Sequence, residues 1–328
     1  MSDKINFVLL EMTWIRYFMP LVIEANKRGL RPRIFVGQSG KYNCPSKCVD
    51  VLTEIYEKYN VDILDVRDAK YYDGLFFLME AKGRQYLSEE QTKIVLTYMV
   101  NYKTDSPAYS KEVDHIIFPS KFLADYYGCD YGDKNLYLGS PKYDIELNEK
   151  EILEKYSLSP DSKKVLILAP RSRDLFKIDL DKLYKIFRKN GYEVLVKTRG
   201  KDPLPPVFMG DHYFLDSSWY PHTSMELIKI SDVVVNFSST AIKETILLNK
   251  PIINFQIKPH SLDILFGFMF EHEYCENFGT DIDEQKLMTA VNRLTTQDLS
   301  DEYTMATQKY LFTGNSSERI LDHFLGEA

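Results

Sequence analysis

Short apolar runs alternate with longer amphipathic stretches along most of the chain. Runs rich in β-branched residues occupy positions 5–10, 33–37, 165–168, 193–196 and 233–235. Runs this short and apolar are typical of parallel strands that are covered on both faces. Between two of them, apolar residues recur at helical spacing over 180–187, and Gly191 provides a stop. The alternation predicts an α/β protein built on parallel sheets.

The first half of the chain continues the same alternation less regularly. Further strands are predicted at 94–99, 115–118 and 135–139, and the tyrosine-rich segment 71–79 is interpreted as helical. A charged helical stretch at 146–156 then separates this half from a second series of strands and helices.

The expected architecture is two doubly wound, Rossmann-like α/β domains that face each other across a cleft. The N-terminal domain covers 1–145, and the second domain covers 146–313. A C-terminal helix within 314–328 is expected to pack back on the first domain.

Charge and length narrow the classes of partner. The 328 residues carry a formal net charge of -7, so nonspecific attraction to nucleic acid is not expected, and local basic clusters indicate small anions. The apolar run 264–270 is far shorter than the roughly 20 residues that span a bilayer. We expect a cytoplasmic protein, and we interpret the run as a core helix, with a peripheral membrane contact as the alternative. The oligomeric state is not predicted.

Basic and hydroxyl side chains follow three strands of the second half. They are Arg171 and Arg173 after the first strand, Lys197 and Arg199 at the end of the second, and Ser238, Ser239 and Thr240 after a later one. If the strands are parallel, these loops lie on one edge of the sheet and converge on one ligand. Guanidinium forks and hydroxyl donors suit a diphosphate.

The segment 231–254 predicts a strand, a hydroxyl-rich turn, a short helix and a second strand. The first N–H groups of that helix would favour an anion, and Glu244 would reach a ribose attached to it. The alternative is that Ser239 only caps the helix. No glycine-rich phosphate loop is present, so Mg²⁺-dependent phosphoryl transfer and a metal site are not expected.

The ordered motifs at 138–144, 168–173, 196–199 and 231–251 resemble the donor half of the GT-B glycosyltransferase superfamily. The nearest patterns are the CDP-glycerol glycerophosphotransferase-like and UDP-N-acetylglucosamine 2-epimerase-like branches. The resemblance covers residues 138–260 well, and the first half only through its opening strand, helix and strand. It implies a donor diphosphate held by Ser239 and Thr240, with Arg173 neutralising phosphate charge and Glu244 on the ribose. It also implies a nucleotide donor bound by the C-terminal domain, an acceptor bound mainly by the N-terminal domain, and chemistry in the cleft without an obligatory metal. We expect no separate cofactor.

Two departures bear on the reaction. The histidine pairs typical of the glycerophosphotransferase-like branch are missing, since His115 is the only histidine of the first 200 residues and is predicted inside a strand. The glycine-rich N-terminal loop and further carboxylates of the epimerase-like branch are not found either. Sugar transfer therefore remains the expectation.

An inverting sugar transfer needs a group that accepts the proton of the acceptor. Glu11, in the loop after the first strand, is the first candidate, and His222 and His260 are alternatives. Arg16, in the same loop as Glu11, is a further candidate for substrate binding.

The sequence thus predicts a glycosyltransferase of polysaccharide biosynthesis that uses a UDP- or CDP-linked sugar and a glycan or glycolipid-type acceptor. Three alternatives stay open: a nucleotide-sugar 2-epimerase or hydrolase, a CDP-glycerol-type glycerophosphotransferase, and a nucleotide-sugar-binding protein without activity.

Overall fold

The chain divides into two compact units in the computed structural model, which describes residues 4–37, 48–97, 111–198, 203–205, 209–215, 219–220, 222–257, 267–312 and 314–326. Unit 1 comprises Met1–Ile145 and Gln308–Ala328, and unit 2 comprises Glu146–Thr307. Each unit is built on a parallel β-sheet, with seven strands in unit 1 and six in unit 2 among the described residues. The predicted class of fold, two α/β domains on parallel sheets, is confirmed.

The sheet of unit 1 has the strand order β3-β2-β1-β4-β5-β6-β7, with every neighbouring pair parallel. The strands are β1 (Ile5–Leu9), β2 (Arg33–Val36), β3 (Asp62–Asp65), β4 (Leu75–Met79), β5 (Thr92–Leu96), β6 (His115–Phe118) and β7 (Asn135–Tyr137). The chain adds strands to one side of β1 and then to the other, so β1 and β4 are neighbours at the point where the order reverses.

The sheet of unit 2 repeats this arrangement, with the order β10-β9-β8-β11-β12-β13 and parallel pairing throughout. Its strands are β8 (Lys163–Leu168), β9 (Tyr192–Lys197), β10 (His212–Phe214), β11 (Val233–Asn236), β12 (Ile252–Phe255) and β13 (Cys275–Phe278). Here β8 and β11 are the neighbours at the reversal. Such a reversal is where open α/β sheets bind their ligands.

Helices connect the strands in both units. Those of unit 1 are α1 (Ile15–Lys27), α2 (Val49–Lys58), α3 (Lys121–Tyr126) and, at the end of the chain, α10 (Ser316–Leu325). Those of unit 2 are α4 (Glu149–Tyr156), α5 (Leu180–Lys189), α6 (Thr223–Lys229), α7 (Ile242–Leu247), α8 (Glu284–Thr296) and α9 (Ser300–Ala306). Shorter 3-10 turns and one π-helical turn, Thr307–Leu311, complete the connections described here.

Buried apolar strands form the core of each sheet. In unit 1, Phe7 of β1 is fully buried, and its ring centroid lies 5.1 Å from that of Phe18 on α1 and 5.4 Å from that of Phe77 on β4. In unit 2, Leu166 and Val234 belong to a cluster that also contains Leu227 of α6. These contacts explain why the β-branched and aromatic runs form central strands.

The helix predicted over 71–79 is wrong. Residues Val66–Tyr71 form a 3-10 turn, and Leu75–Met79 is the central strand β4. All five residues of β4 are buried, because the sheet is covered on both faces at this strand. The strand is therefore apolar at every position. Such a run has no period that separates a buried strand from a buried helix.

The apolar run 264–270 does not form an α-helix in the part that the structure describes. The core helix predicted within 264–270 appears as a 3-10 turn over Gly267–Phe270, and residues 264–266 lie outside the described ones. No helix among the described residues is long and apolar enough to span a bilayer.

Helix α10 is anchored to the rest of unit 1 by polar contacts. Arg28 of α1 forms an ion pair with Asp322 at 2.8 Å, and the Ser317 hydroxyl donates to Asp144 at 2.7 Å. Arg319 donates to the carbonyl oxygens of Leu138 at 3.2 Å and of residue 312 at 3.0 Å. Burial raises the pKa of the Asp144 carboxyl, and hydrogen bonds from Ser317 oppose that rise.

Gly139 lies close against the first turn of α10 and the segment that precedes it. Its φ is +91°, and a Cβ atom there would lie 2.3 Å from the Ser316 hydroxyl and 2.7 Å from the carbonyl oxygen of Phe312. Only glycine therefore allows this approach.

We predict that Gly139→Ala destabilises unit 1 more than Gly128→Ala does. Gly128 has a comparable φ of +63°, but a Cβ atom there meets nothing within 4 Å. The control should cost only the left-handed backbone strain, about 1–2 kcal/mol. Gly139→Ala adds a steric conflict with α10, which equilibrium urea unfolding should report as a clearly larger loss. Equal losses for the two variants would contradict this account of Gly139.

Candidate active site

The exits of β8, β9 and β11 lie side by side at the carboxyl edge of the unit 2 sheet. β8 is central, with Leu168 opposite Lys197 of β9 and Ile167 opposite Val235 of β11. All three strands run in the same direction, so the loops that follow them leave from one edge. The predicted condition for their convergence, a parallel sheet, is therefore met.

The exit of β8 is a 3-10 turn over Ser172–Lys177 that is held from beneath by Asp174. This carboxylate is 3% exposed and forms an ion pair with Lys177 at 2.9 Å, and the Asp174 N–H donates to the Arg171 carbonyl at 2.8 Å. Arg171 and Arg173 are both exposed. The backbone of the turn is thus fixed, and the Arg171 and Arg173 side chains stay exposed to solvent. An anion-binding site requires such accessible cations.

The exit of β9 is more buried. The Lys197 side chain is 8% exposed, and the buried Thr198 hydroxyl accepts a hydrogen bond from the Leu204 N–H at 3.1 Å. Arg199, the second cation predicted here, lies outside the described residues, and so does His260.

A chain of three asparagine side chains, two of them buried and the third exposed, supports the exit of β11. Asn236, Asn254 and Asn277 occupy matching positions on β11, β12 and β13, and the first two are fully buried. The Asn277 amide donates to the Phe270 carbonyl at 2.6 Å, and the Asn254 amide donates to Asn277 Oδ1 at 2.8 Å. We call these three residues the asparagine ladder.

The ladder ends on the hydroxyl-rich turn. The Ser238 N–H donates to Asn254 Oδ1 at 2.9 Å, and the Ser239 N–H donates to Asn236 Oδ1 at 2.7 Å. Ser238 is held in a left-handed conformation with φ +52°. Its buried hydroxyl has no hydrogen-bond partner among the described residues. The asparagine ladder therefore fixes a strained turn through its N–H groups, and the Ser238 hydroxyl takes no part in that support.

The alternative that Ser239 only caps the next helix is not what the structure shows. α7 begins at Ile242, its N-cap residue is Ala241, and no side chain caps it. The Ser239 hydroxyl accepts only a long contact from the Ala241 N–H, at 3.4 Å. Because the asparagines already take two N–H groups of the turn, hydroxyl groups are its better ligand donors.

Glu244 lies in the first turn of α7, with only 4% of its surface exposed. Its neighbour Lys243 is 6% exposed. A carboxylate that binds a ribose must be accessible, and the buried Glu244 is not directly accessible in this geometry. The contact between Glu244 and a ribose stays a prediction.

His222 lies at the same edge of the sheet as the three exits. It precedes α6, which returns from β10 to the parallel strand β11 and must therefore begin at the carboxyl edge. The residue is 8% exposed. Its position suits a role at the ligand, and its burial limits direct access.

Glu11 occupies the corresponding reversal point in unit 1. It follows β1, and Lys82 follows the neighbouring strand β4, with the ammonium group 3.8 Å from Glu11 Oε1 and 3.6 Å from Glu80 Oε2. Glu80 and Ala81 have φ values of +52° and +53°. Arg16, in the first turn of α1, is partly buried. The structure thus places Glu11 and Arg16 in unit 1, and the phosphate-type candidates in unit 2.

Sequence reasoning missed Asp174, Lys82 and the asparagine ladder. The sequence did contain a signal for the ladder: Asn236 and Asn254 each stand in or next to a β-branched apolar run that forms a buried strand. A buried amide must be hydrogen-bonded, so two of them at strand ends indicate a structured turn. No group of three or more potential metal-binding side chains occurs among the residues that the structure describes.

Comparison with known proteins gives matches at the level of fold. No protein-family model and no curated protein matches the chain. The wall teichoic acid polymerase TagF, solved as a variant soaked with CDPG, matches with a TM-score of 0.66 and 18% identity over 98% of this chain and 88% of TagF.

Two further solved structures match over nearly their full length. A Listeria monocytogenes protein assigned as a UDP-N-acetylglucosamine 2-epimerase gives a TM-score of 0.62 at 13% identity, covering 100% of this chain and 98% of its own. The glycotransferase of kitacinnamycin gives 0.60 at 11% identity, covering 98% and 97%. The chain therefore has a GT-B-type fold, as the motif resemblance implied.

We predict that Asn254→Ala lowers the free energy of unfolding by about 1–3 kcal/mol, the usual cost of leaving buried polar groups unpaired. The Ser238 N–H and Asn277 Oδ1 would both lose a partner. Asn292→Ala is the control, because Asn292 is exposed on α8 of the same unit. Equilibrium urea unfolding measures both variants. A loss no greater than that of the control would show that the ladder does not support the turn.

Proposed function

We propose that the protein is a glycosyltransferase that takes a sugar from a UDP- or CDP-linked donor and passes it to a glycan or glycolipid-type acceptor. The observation that carries the proposal is the reversal point of unit 2, where exposed arginines of one strand exit stand next to the hydroxyl-rich turn of another. Exposed cations and hydroxyl groups at such a point suit a diphosphate.

In this proposal unit 2 binds the donor. Arg171 and Arg173 contact the diphosphate oxygens and offset the charge that grows on the leaving group. Ser238, Ser239 and Thr240 donate hydroxyl hydrogen bonds to the same group. The protein's own cations supply this stabilisation, so we propose that the transfer needs no metal ion.

Unit 1 binds the acceptor, and Glu11 accepts its proton during transfer. The Lys82 ammonium lies 3.8 Å from Glu11 Oε1 and holds this carboxylate beside the exit of β4, where a general base would meet the acceptor. The partners named in the matching structures support a nucleotide-linked donor for a fold of this type.

We predict that UDP, CDP or their sugar derivatives raise the melting temperature of the wild-type protein, because a ligand that binds only the folded state stabilises it. Arg173→Ala should reduce the shift, since it removes an exposed cation from the β8 exit. Incubation of the responding sugar nucleotide with and without acceptor glycans then identifies the reaction. The absence of a response to any nucleoside diphosphate would contradict donor binding, and turnover without acceptor would indicate an epimerase or hydrolase instead.

We predict that Glu11→Gln reduces the rate of transfer by about 10²–10⁴-fold, the usual contribution of a general base. Nucleotide binding should stay unchanged, because Glu11 lies in unit 1. Glu80→Gln is the matched control. It removes the other carboxylate beside Lys82 but keeps Glu11, the proposed proton acceptor, so the rate of transfer should change by at most a few fold. Full activity of Glu11→Gln in a transfer assay at saturating donor would remove Glu11 from the mechanism.

A further inference from the structure

Phe176 has the highest exposed fraction, 83%, of the large apolar side chains in the described part of the chain. It lies in the Ser172–Lys177 turn that follows β8, five positions after Arg171 and three after Arg173. A large aromatic ring left in water at the edge that carries the candidate site needs an explanation.

The exposure of Phe176 does not come from a loosely held turn. Asp174 anchors the turn from within through its ion pair with Lys177. The Ile178 N–H donates to the Leu175 carbonyl at 3.3 Å, and Ile178 itself is 6% exposed. The backbone on both sides of the ring is thus fixed, and the ring is presented outward.

One cation lies beside the ring, and two further cations belong to the same strand exit. The Lys177 ammonium lies 5.7 Å from the ring centroid, and Arg171 and Arg173 are exposed on the same turn. A ligand that suits this turn therefore combines a flat aromatic group for the ring with negative charge for the cations. A nucleoside diphosphate has both.

We infer that Phe176 is the stacking platform for the nucleobase of the donor. This inference rests on the proposed function and adds a contact for the base, which the arginines and hydroxyl groups do not provide. Stacking on an aromatic face tolerates different bases, because every base has a π-face. The contact therefore contributes affinity for both UDP and CDP and does not select between them.

A matched control exists on unit 1. Tyr71 is 75% exposed, and the ammonium of its preceding neighbour Lys70 lies 4.9 Å from its ring centroid. It reproduces an exposed ring beside a lysine in the unit that does not carry the basic strand exits.

The test is calorimetric titration of UDP, CDP and inorganic pyrophosphate into wild type, Phe176→Ala, Phe176→Tyr and Tyr71→Ala. Phe176→Ala should lower the affinity for UDP and CDP by about tenfold, which is within the range measured for one lost base–aromatic stack. Its affinity for pyrophosphate should stay unchanged. Phe176→Tyr keeps the ring and should bind like wild type, as should Tyr71→Ala.

Each other outcome overturns the inference in a recognisable way. Unchanged UDP and CDP affinity in Phe176→Ala, with normal wild-type binding, removes the stacking contact and leaves the proposed function intact. An equal loss for pyrophosphate assigns the effect to the turn and not to stacking. Wild type that binds none of the three ligands contradicts the proposed function as well. A parallel sedimentation assay with phosphatidylglycerol vesicles tests a membrane contact. If Phe176→Ala keeps its affinity for UDP and CDP but no longer sediments with vesicles that bind the wild type, the ring contacts a membrane surface and not a nucleobase.

Discussion

Parallel strand pairing around a reversal in strand order is the constraint on which both units depend. A parallel sheet leaves all its strand exits on one edge, and the reversal sends the two adjacent connections to opposite faces. Polar residues can collect there without interrupting the apolar strands beneath them. Unit 2 places Arg171 and Arg173 on one side of its reversal and Ser238 on the other. Unit 1 places Glu11 and Lys82 at the equivalent point.

The asparagine ladder shows how such an edge is kept rigid. A turn directly above buried strands contains N–H groups that water cannot reach easily, and each must find an acceptor. Asn236 and Asn254 provide those acceptors from inside the sheet, and Asn277 orients Asn254 in turn. The two N–H groups are thus satisfied by asparagine side chains, and the turn keeps its conformation without using the Ser238 hydroxyl.

Much of the fold could be predicted from the sequence, because runs such as 165–168 and 233–235 are too short and too β-branched for anything but buried strands. β4 could not, since Leu75–Met79 has no period to distinguish strand from helix. The edge strands β10 and β13 were missed because their burial is only partial. The basic exits were predictable from their positions after strands. The pairing of Asn236 with Asn254 was not, because it depends on the register of strands that are distant in the chain.

The anchoring of α10 has a consequence for biosynthesis. Unit 1 is assembled from two separate pieces of the chain, whereas unit 2 is continuous. During translation from the N-terminus, unit 2 has all its residues outside the ribosome before Arg319 can reach the carbonyl of Leu138. Until α10 has been synthesised, the surface of α1 against which it packs stays uncovered. Premature termination shortly before residue 316 would therefore leave unit 2 whole and expose apolar surface, including Phe77, to chaperones.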